Sequence, residues 1–216
     1  MVLFSVSMWV KICGMTNFDD AAHAADCGAD AVGFILHPAS KRFLPAPEAA
    51  AIARRLPAHV AKVAVVVNLS EAELLALHEL RAFDAFQLHG SETPELTARL
   101  TAAGLTITKA LGCPLSSETL HPWVSAPGPA RFLLDRASPD HGGTGQTVDW
   151  QEAARLVPAL GRPVILAGGL TPENVARAAE TVQPFGLDVC SGVEAAPGRK
   201  DHAKVEAFLN LCRRLP

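Results

Sequence analysis

The chain has 216 residues, 49% apolar and 19% charged, which supports a sizeable hydrophobic core and excludes disorder and collagen-like structure. Its 19 Lys and Arg against 22 Asp and Glu give a formal charge of -3, so there is no net positive field to hold a polyanion, and nucleic acid is not an expected partner. The five cysteines form no C-x-x-C pair, which argues against a disulfide framework or a structural zinc site and favours a reducing, cytoplasmic setting.

The first ten residues, Met1 to Val10, are apolar but lack a basic flank and a small-residue cleavage pattern, so they are read as a lead into the first strand rather than as a signal peptide. Residues 1–8 are expected to be a short N-terminal extension, with Met1 or Met8 as the start. No apolar run approaches the roughly 20 residues of a membrane span, so no membrane partner is expected. From there, short β-branched runs alternate with longer Ala/Leu/Glu/Arg segments. Strands are predicted at Trp9–Cys13, Ala31–Leu36, Ala61–Val67, Ala85–Leu88, Thr106–Ala110, Arg131–Leu134, Pro163–Ala167 and Gly186–Val189, about 27 residues per strand-helix unit. Helix starts are predicted at Thr16 ahead of Asp19, Ser70-Glu71 with Glu73, Ser91-Glu92 with Pro94, and Thr171-Pro172-Glu173. The last helix is expected from about Asp201 to Arg214. A faint internal echo, a turn plus an aspartate feeding an even-numbered strand, recurs at Asp30, Asp84 and Asp188. Eight such units predict an α/β protein, a single-domain (β/α)8 TIM barrel over residues 1–216. The open doubly wound alternative should carry G-x-G-x-x-G after its first strand, and Cys13-Gly14-Met15-Thr16-Asn17 does not supply it.

In such a barrel the C-terminal strand ends carry the chemistry. Cys13 ends the first strand and is read either as a small packing residue or as a thiolate base. Lys11, two residues earlier on the same face, either favours that thiolate or pairs with a buried carboxylate. Asp135 ends the sixth strand, where apolar surroundings favour a protonated carboxyl able to act as an acid; bracing a loop is the competing role. Arg42, in Ser40-Lys-Arg-Phe43, is either a fork for a substrate carboxylate or a solvated turn residue. Gln87 and His89 are candidates for orienting a polar substrate. Late glycine segments, Gly142-Gly143-Thr144-Gly145, Gly168-Gly169 and Ser191-Gly192, offer backbone amides to a phosphate, and Arg136 to Asp149 is long enough for a lid. His37, His89 and Asp135 match no standard metal-ligand spacing, so no metal is expected. His23, His59, His78, His121 and His202 are read as having no function, and Trp9, Trp123 and Trp150 as packing.

Taken in order, the segments Lys11-Ile-Cys-Gly-Met-Thr16, Gly33-Phe-Ile-Leu36, Ser40-Lys-Arg42, Gln87-Leu-His-Gly-Ser-Glu92, Leu133-Leu-Asp135, Gly142-Gly-Thr-Gly145, Leu166-Ala-Gly-Gly-Leu170 and Asp188-Val-Cys-Ser-Gly-Val-Glu194 resemble the phosphoribosylanthranilate isomerases. They span nearly the whole chain; Cys190 stands where that family more often has serine. The resemblance implies a cofactor-free Amadori rearrangement in tryptophan biosynthesis, on a phosphoribosylated anthranilate, by a monomer or homodimer. It implies Cys13 as base, Asp135 as acid, Arg42 on the anthranilate carboxylate, and Gly168, Gly169, Ser191 and Gly192 on the phosphate. Two rival readings are a metal-dependent sugar-phosphate epimerase built on His37, His89 and Asp135, and a non-catalytic barrel that only binds a phosphosugar.

Overall fold

The computed structural model describes residues 8–124, 127–136 and 147–215. In chain order it runs β1 (Trp9–Cys13), α1 (Phe18–Asp26), β2 (Ala31–Ile35), α2 (Ala46–Ala53), β3 (Ala61–Val66), α3 (Glu71–Glu79), β4 (Ala85–Leu88), α4 (Pro94–Ala102), β5 (Ile107–Cys113), α5 (Ser117–Val124), β6 (Arg131–Arg136), α6 (Trp150–Ala159), β7 (Val164–Leu166), α7 (Val175–Val182) and β8 (Gly186–Val189). A short hairpin of β9 (Glu194–Ala196) and β10 (Arg199–Lys200) precedes α8 (His202–Cys212). Strands β1 to β8 pair in sequence order and close β8 onto β1, all parallel, which is the expected barrel.

Period-two alternation divides the apolar residues into two cores. Val10 and Ile12 of β1 face the helices, in a shell that also holds Phe34, Phe86, Phe132 and Leu187. The opposite faces fill the lumen with smaller groups: Cys13, Ala31, Val63, Val65 and Ala85 on one side, Ala110, Leu133, Ile165 and Ala167 on the other, with Trp9 packed against both sets. Helix α7 shows how the shell closes. Val175, Ala178, Ala179 and Val182 bury one face at helical spacing, and the alanines let the helix lie close to the sheet.

Five strands differ in length from the sequence reading: β2 and β3 each stop one residue short of the predicted Leu36 and Val67, and β5, β6 and β7 depart further. β5 and β6 run past Ala110 and Leu134, with Gly112 opposite Asp135 and Cys113 opposite Arg136, because Leu111 and Cys113 continue the buried alternation. Asp135 therefore sits inside a paired ladder rather than in the loop after it. β7 keeps three of its five predicted residues, losing Ala167 at one end and, at the other, Pro163, which has no amide proton to give.

The Ser70 start is a full capping box with Glu73. Three other starts are displaced. Asn17 rather than Thr16 caps α1, since the Thr16 hydroxyl donates to the Gly198 carbonyl. Thr93, immediately before Pro94, caps α4. Helix α7 begins only at Val175, after a turn in which the Asn174 side chain accepts from the Thr171 amide. The echo holds at two of its three positions: Asp30 accepts the Val10 amide at 2.7 Å and Asp84 the Lys62 amide at 2.8 Å, each tying an even strand to the start of the odd strand before it. Asp188 lies within β8 and does something else.

Candidate active site

The floor of the site is an ion pair inside the lumen. Lys11 and Asp188 are register partners across β1 and β8, and their Nζ and Oδ1 atoms lie 2.7 Å apart, almost fully buried. Lys11 thus pairs with a buried carboxylate and also favours the Cys13 thiolate, so it fills both of its candidate roles. Burial works against the ammonium, but Asp188 and then Cys13 outweigh it and raise its pKa. Burial lifts the Asp188 carboxyl to about 7 against the pull of Lys11. One step further up the same ladder, beyond the Ile12–Val189 pair, Cys13 stands beside Cys190. Cys13 faces the lumen and its thiol pKa is held well below the usual range. The Cys190 hydrogen bond is the main cause, and Lys11 and Lys200 add to it against the cost of burial. The same bond pushes the Cys190 thiol up. Gly33 makes the space: a Cβ there would come within 2.7 Å of the Cys13 sulfur.

Over this pair lies a second charged cluster. Arg42 grips Glu194 with both ends of its fork, Nε to Oε1 at 2.8 Å and Nη2 to Oε2 at 2.7 Å. The Lys200 ammonium donates to Glu194 Oε1 and to the Cys190 carbonyl, each at 3.1 Å. This bidentate bond raises the Arg42 pKa, and Arg42 with Lys200 holds Glu194 below the usual carboxylate range despite its burial. Arg42 is therefore a buried cation paired with Glu194 and not a solvated turn residue. Glu194, Lys200 and Asp188 were missed as site residues; the available signal was the charges that follow the last barrel strand for Glu194 and Lys200, and a lone acid inside that strand for Asp188.

Across the lumen, Gln87 Nε2 donates to His89 Nδ1 at 3.1 Å, leaving the proton on His89 Nε2, which lies 3.4 Å from Asp135 Oδ2. Asp135 Oδ1 accepts the Arg136 amide at 2.7 Å. Gln87 thus orients the His89 ring beside Asp135, and Gln87 Oε1 is buried with no partner among the described residues. Lys109, on β5, points away from the lumen and pairs with buried Glu92 at 2.8 Å, bracing the loop between β4 and α4. His37, His89 and Asp135 do not bring ligand atoms within 4.8 Å of one another.

The loops after β7 and β8 meet at the rim. Gly168 and Gly169 both have positive φ, 82° and 63°, and the Asn174 amide group donates to the Gly169 carbonyl. A Cβ on Gly168 would lie 2.8 Å from Asp135 Oδ1, so this loop touches the carboxylate directly. Ser191 and Gly192 open a single 3-10 turn, and a Cβ on Gly192 would strike the Leu170 carbonyl. The other two predicted phosphate residues, Gly143 and Gly145, and most of the expected lid lie outside the described residues. A separate open cleft of about 390 Å³, lined by Asn17, Asp19, Asp20, Arg199, Lys200 and His202, lies beside the β9–β10 hairpin. It contains none of the strand-end candidates.

Residues 10–211 match the family model for N-(5'phosphoribosyl)anthranilate (PRA) isomerase. The N-(5'-phosphoribosyl)anthranilate isomerase of Pelobacter propionicus is 42% identical over 205 residues, covering 94% of this chain and 95% of that protein. Among solved structures, phosphoribosylanthranilate isomerase in complex with reduced 1-(o-carboxyphenylamino)-1-deoxyribulose 5-phosphate superposes with a TM-score of 0.81 at 37% identity, over 96% of this chain and 100% of that one. Monomers of the dimeric enzyme from Thermotoga maritima give 0.82 at 36% identity, with the same coverage. With a family model spanning nearly its whole length and close relatives covering more than nine-tenths of it, the chain belongs to the N-(5'-phosphoribosyl)anthranilate isomerase family.

Proposed function

We infer that this isomerase of tryptophan biosynthesis performs its Amadori rearrangement by general acid–base catalysis, with Asp135 as acid and Cys13 as base. The substrate is N-(5-phosphoribosyl)anthranilate and the product is 1-(2-carboxyphenylamino)-1-deoxyribulose 5-phosphate. Asp135 gives a proton to the furanose ring oxygen, the C1–O bond breaks, and the nitrogen lone pair forms an iminium. That cation makes the C2 proton acidic enough for a thiolate base, and Cys13 removes it. The resulting enolamine then gains a proton at C1 and loses one from the C2 hydroxyl to become the ketone. Nothing is oxidised by an outside reagent, so no cofactor takes part.

What supports this reading is the placement of Cys13 in the lumen beside Cys190 and Lys11, which favour its thiolate, with Asp135 beside His89 on another wall of the barrel. Arg42, fixed by Glu194, is proposed to receive the anthranilate carboxylate, and the Gly168-Gly169 and Ser191-Gly192 turns, with Gly143 and Gly145, to hold the phosphate. Anchoring both ends confines the sugar between acid and base. The same reading takes residues 1–216 as one barrel domain with residues 1–8 as its extension, working in the cytoplasm as a monomer or homodimer; the five unpaired thiols suit a reducing compartment. Among the described residues no helix is long and apolar enough to cross a membrane.

Substrate fluorescence tests the roles. Cys13→Ala and Asp135→Asn are each expected to lose about 10²–10⁴-fold in turnover, the usual worth of a positioned acid or base. A near-wild-type rate in either variant removes that residue from its role.

A further inference from the structure

The outer shell holds a group of metal-ligating side chains that the reaction does not use. His23 lies on α1, Cys27 is its C-cap, and Glu206 faces them from α8. Cys27 Sγ is 3.4 Å from His23 Nε2, and His23 Nε2 is 3.5 Å from Glu206 Oε1. All three donor atoms fall within 4.8 Å of one another, and this is the one such group among the described residues. Tetrahedral zinc with bonds of about 2.3 Å to sulfur and about 2.0–2.1 Å to nitrogen and oxygen has ligand–ligand edges of about 3.3–3.6 Å. The two measured edges fall in that range, before any rotamer has moved.

The support around the group also suits a metal. His23 and Cys27 are four apart, hence on one helix face. The ring of His202 stacks on that of His23 at 3.9 Å and 5°, and His202 is itself held by Asp20 at 3.0 Å, which fixes the imidazole in orientation; His23 Nε2 also lies 3.3 Å from the His202 carbonyl oxygen, a contact the metal would replace. Glu206 is exposed, which leaves an entry path and room for a water in the fourth position.

We propose that His23, Cys27 and Glu206 form a binding site for a borderline-soft divalent cation, zinc in the first instance, that clips α1 to α8. These helices follow β1 and β8, the two strands whose pairing closes the barrel. On binding, the Cys27 thiol releases its proton to solvent and the thiolate becomes the sulfur ligand. The site stands apart from the reaction and from the roles given to Cys13 and Asp135.

The test uses metal-stripped full-length protein titrated with Co²⁺, followed by the thiolate-to-cobalt absorption in the near ultraviolet, and with Zn²⁺, followed by melting temperature. Wild type is expected to develop the band and to melt higher with Zn²⁺. Cys27→Ser is expected to lose the band. Glu206→Gln, at an exposed position where folding is not at risk, is expected to weaken Co²⁺ binding by about tenfold or more, since even outer-shell partners of metal ligands count for that much. No band in wild type, or either variant binding as wild type does, overturns the proposal; a band that survives Cys27→Ser assigns the metal to another thiol.

Discussion

Cys13, the proposed base, owes its lowered thiol pKa to its neighbours, a second cysteine first among them. The Cys190 thiol is the largest single influence holding the Cys13 thiolate, ahead of Lys11 and Lys200. Cys190→Ala is therefore expected to move the acid limb of the kcat/KM profile upward, and Cys190→Ser, which keeps a donor, to leave it near the wild-type position. Thiolate absorbance measured against pH checks both; a limb that stays put in Cys190→Ala removes Cys190 from the tuning of the base. Cys13, Asp135 and Arg42 stood out as candidates in the sequence because each sits at or just past a strand end, where polar residues are conspicuous. Their partners were not. Glu194 meets Arg42 across 152 positions and Asp188 meets Lys11 across 177, and such pairings exist only once the barrel has closed.

Strand order and most strand boundaries were legible because apolar alternation survives in every run. Boundaries failed where the apolar alternation runs on past an exposed Gly112 in β5, where β6 pairs with that extension, where proline lacks an amide for β7, and where the Thr16 hydroxyl has a competing partner. The lengthened β6 bears on function, since it holds the Asp135 backbone in a ladder while the β7 loop presses Gly168 against its side chain. In Gly168→Ala the new Cβ would crowd both Asp135 Oδ1 and, at 3.2 Å, the Arg136 amide nitrogen. That variant is expected to lose kcat/KM by about tenfold or more, a loss of roughly 1.4 kcal/mol in transition-state stabilisation. Gly104→Ala is the control: its φ is also positive, but a Cβ there meets nothing within 4 Å, so its turnover is expected to match wild type. Equal turnover in the two variants would contradict the contact.

The whole molecule is a closed sheet with two cores, and its buried charges are paired on both sides of that sheet. Lys109 and Glu92, behind β5, form one such pair. Burial raises the Glu92 carboxyl, but the Lys109 ammonium and the Asn68 amide more than offset this and leave it below its ordinary value of 4.5. The folded carboxyl thus binds its proton less readily than the unfolded one. Its stabilisation is complete above about pH 4.5 and is lost as pH falls through the lower folded value. Glu92→Gln strands the lysine, so at neutral pH it is expected to destabilise the fold by about 3–5 kcal/mol, with the gap to wild type narrowing in acid. Denaturant melts at several pH values check this, and a gap independent of pH would contradict it. For the enzyme as a whole, the most direct test is the rate at which iodoacetamide inactivates the unaltered protein as a function of pH, with the labelled cysteine identified by mass spectrometry. The account predicts label on Cys13, a rate that titrates well below the roughly 8.5 of a free thiol, and loss of turnover in step with labelling. Inactivation titrating in the ordinary thiol range, or full activity retained with Cys13 alkylated, would contradict it.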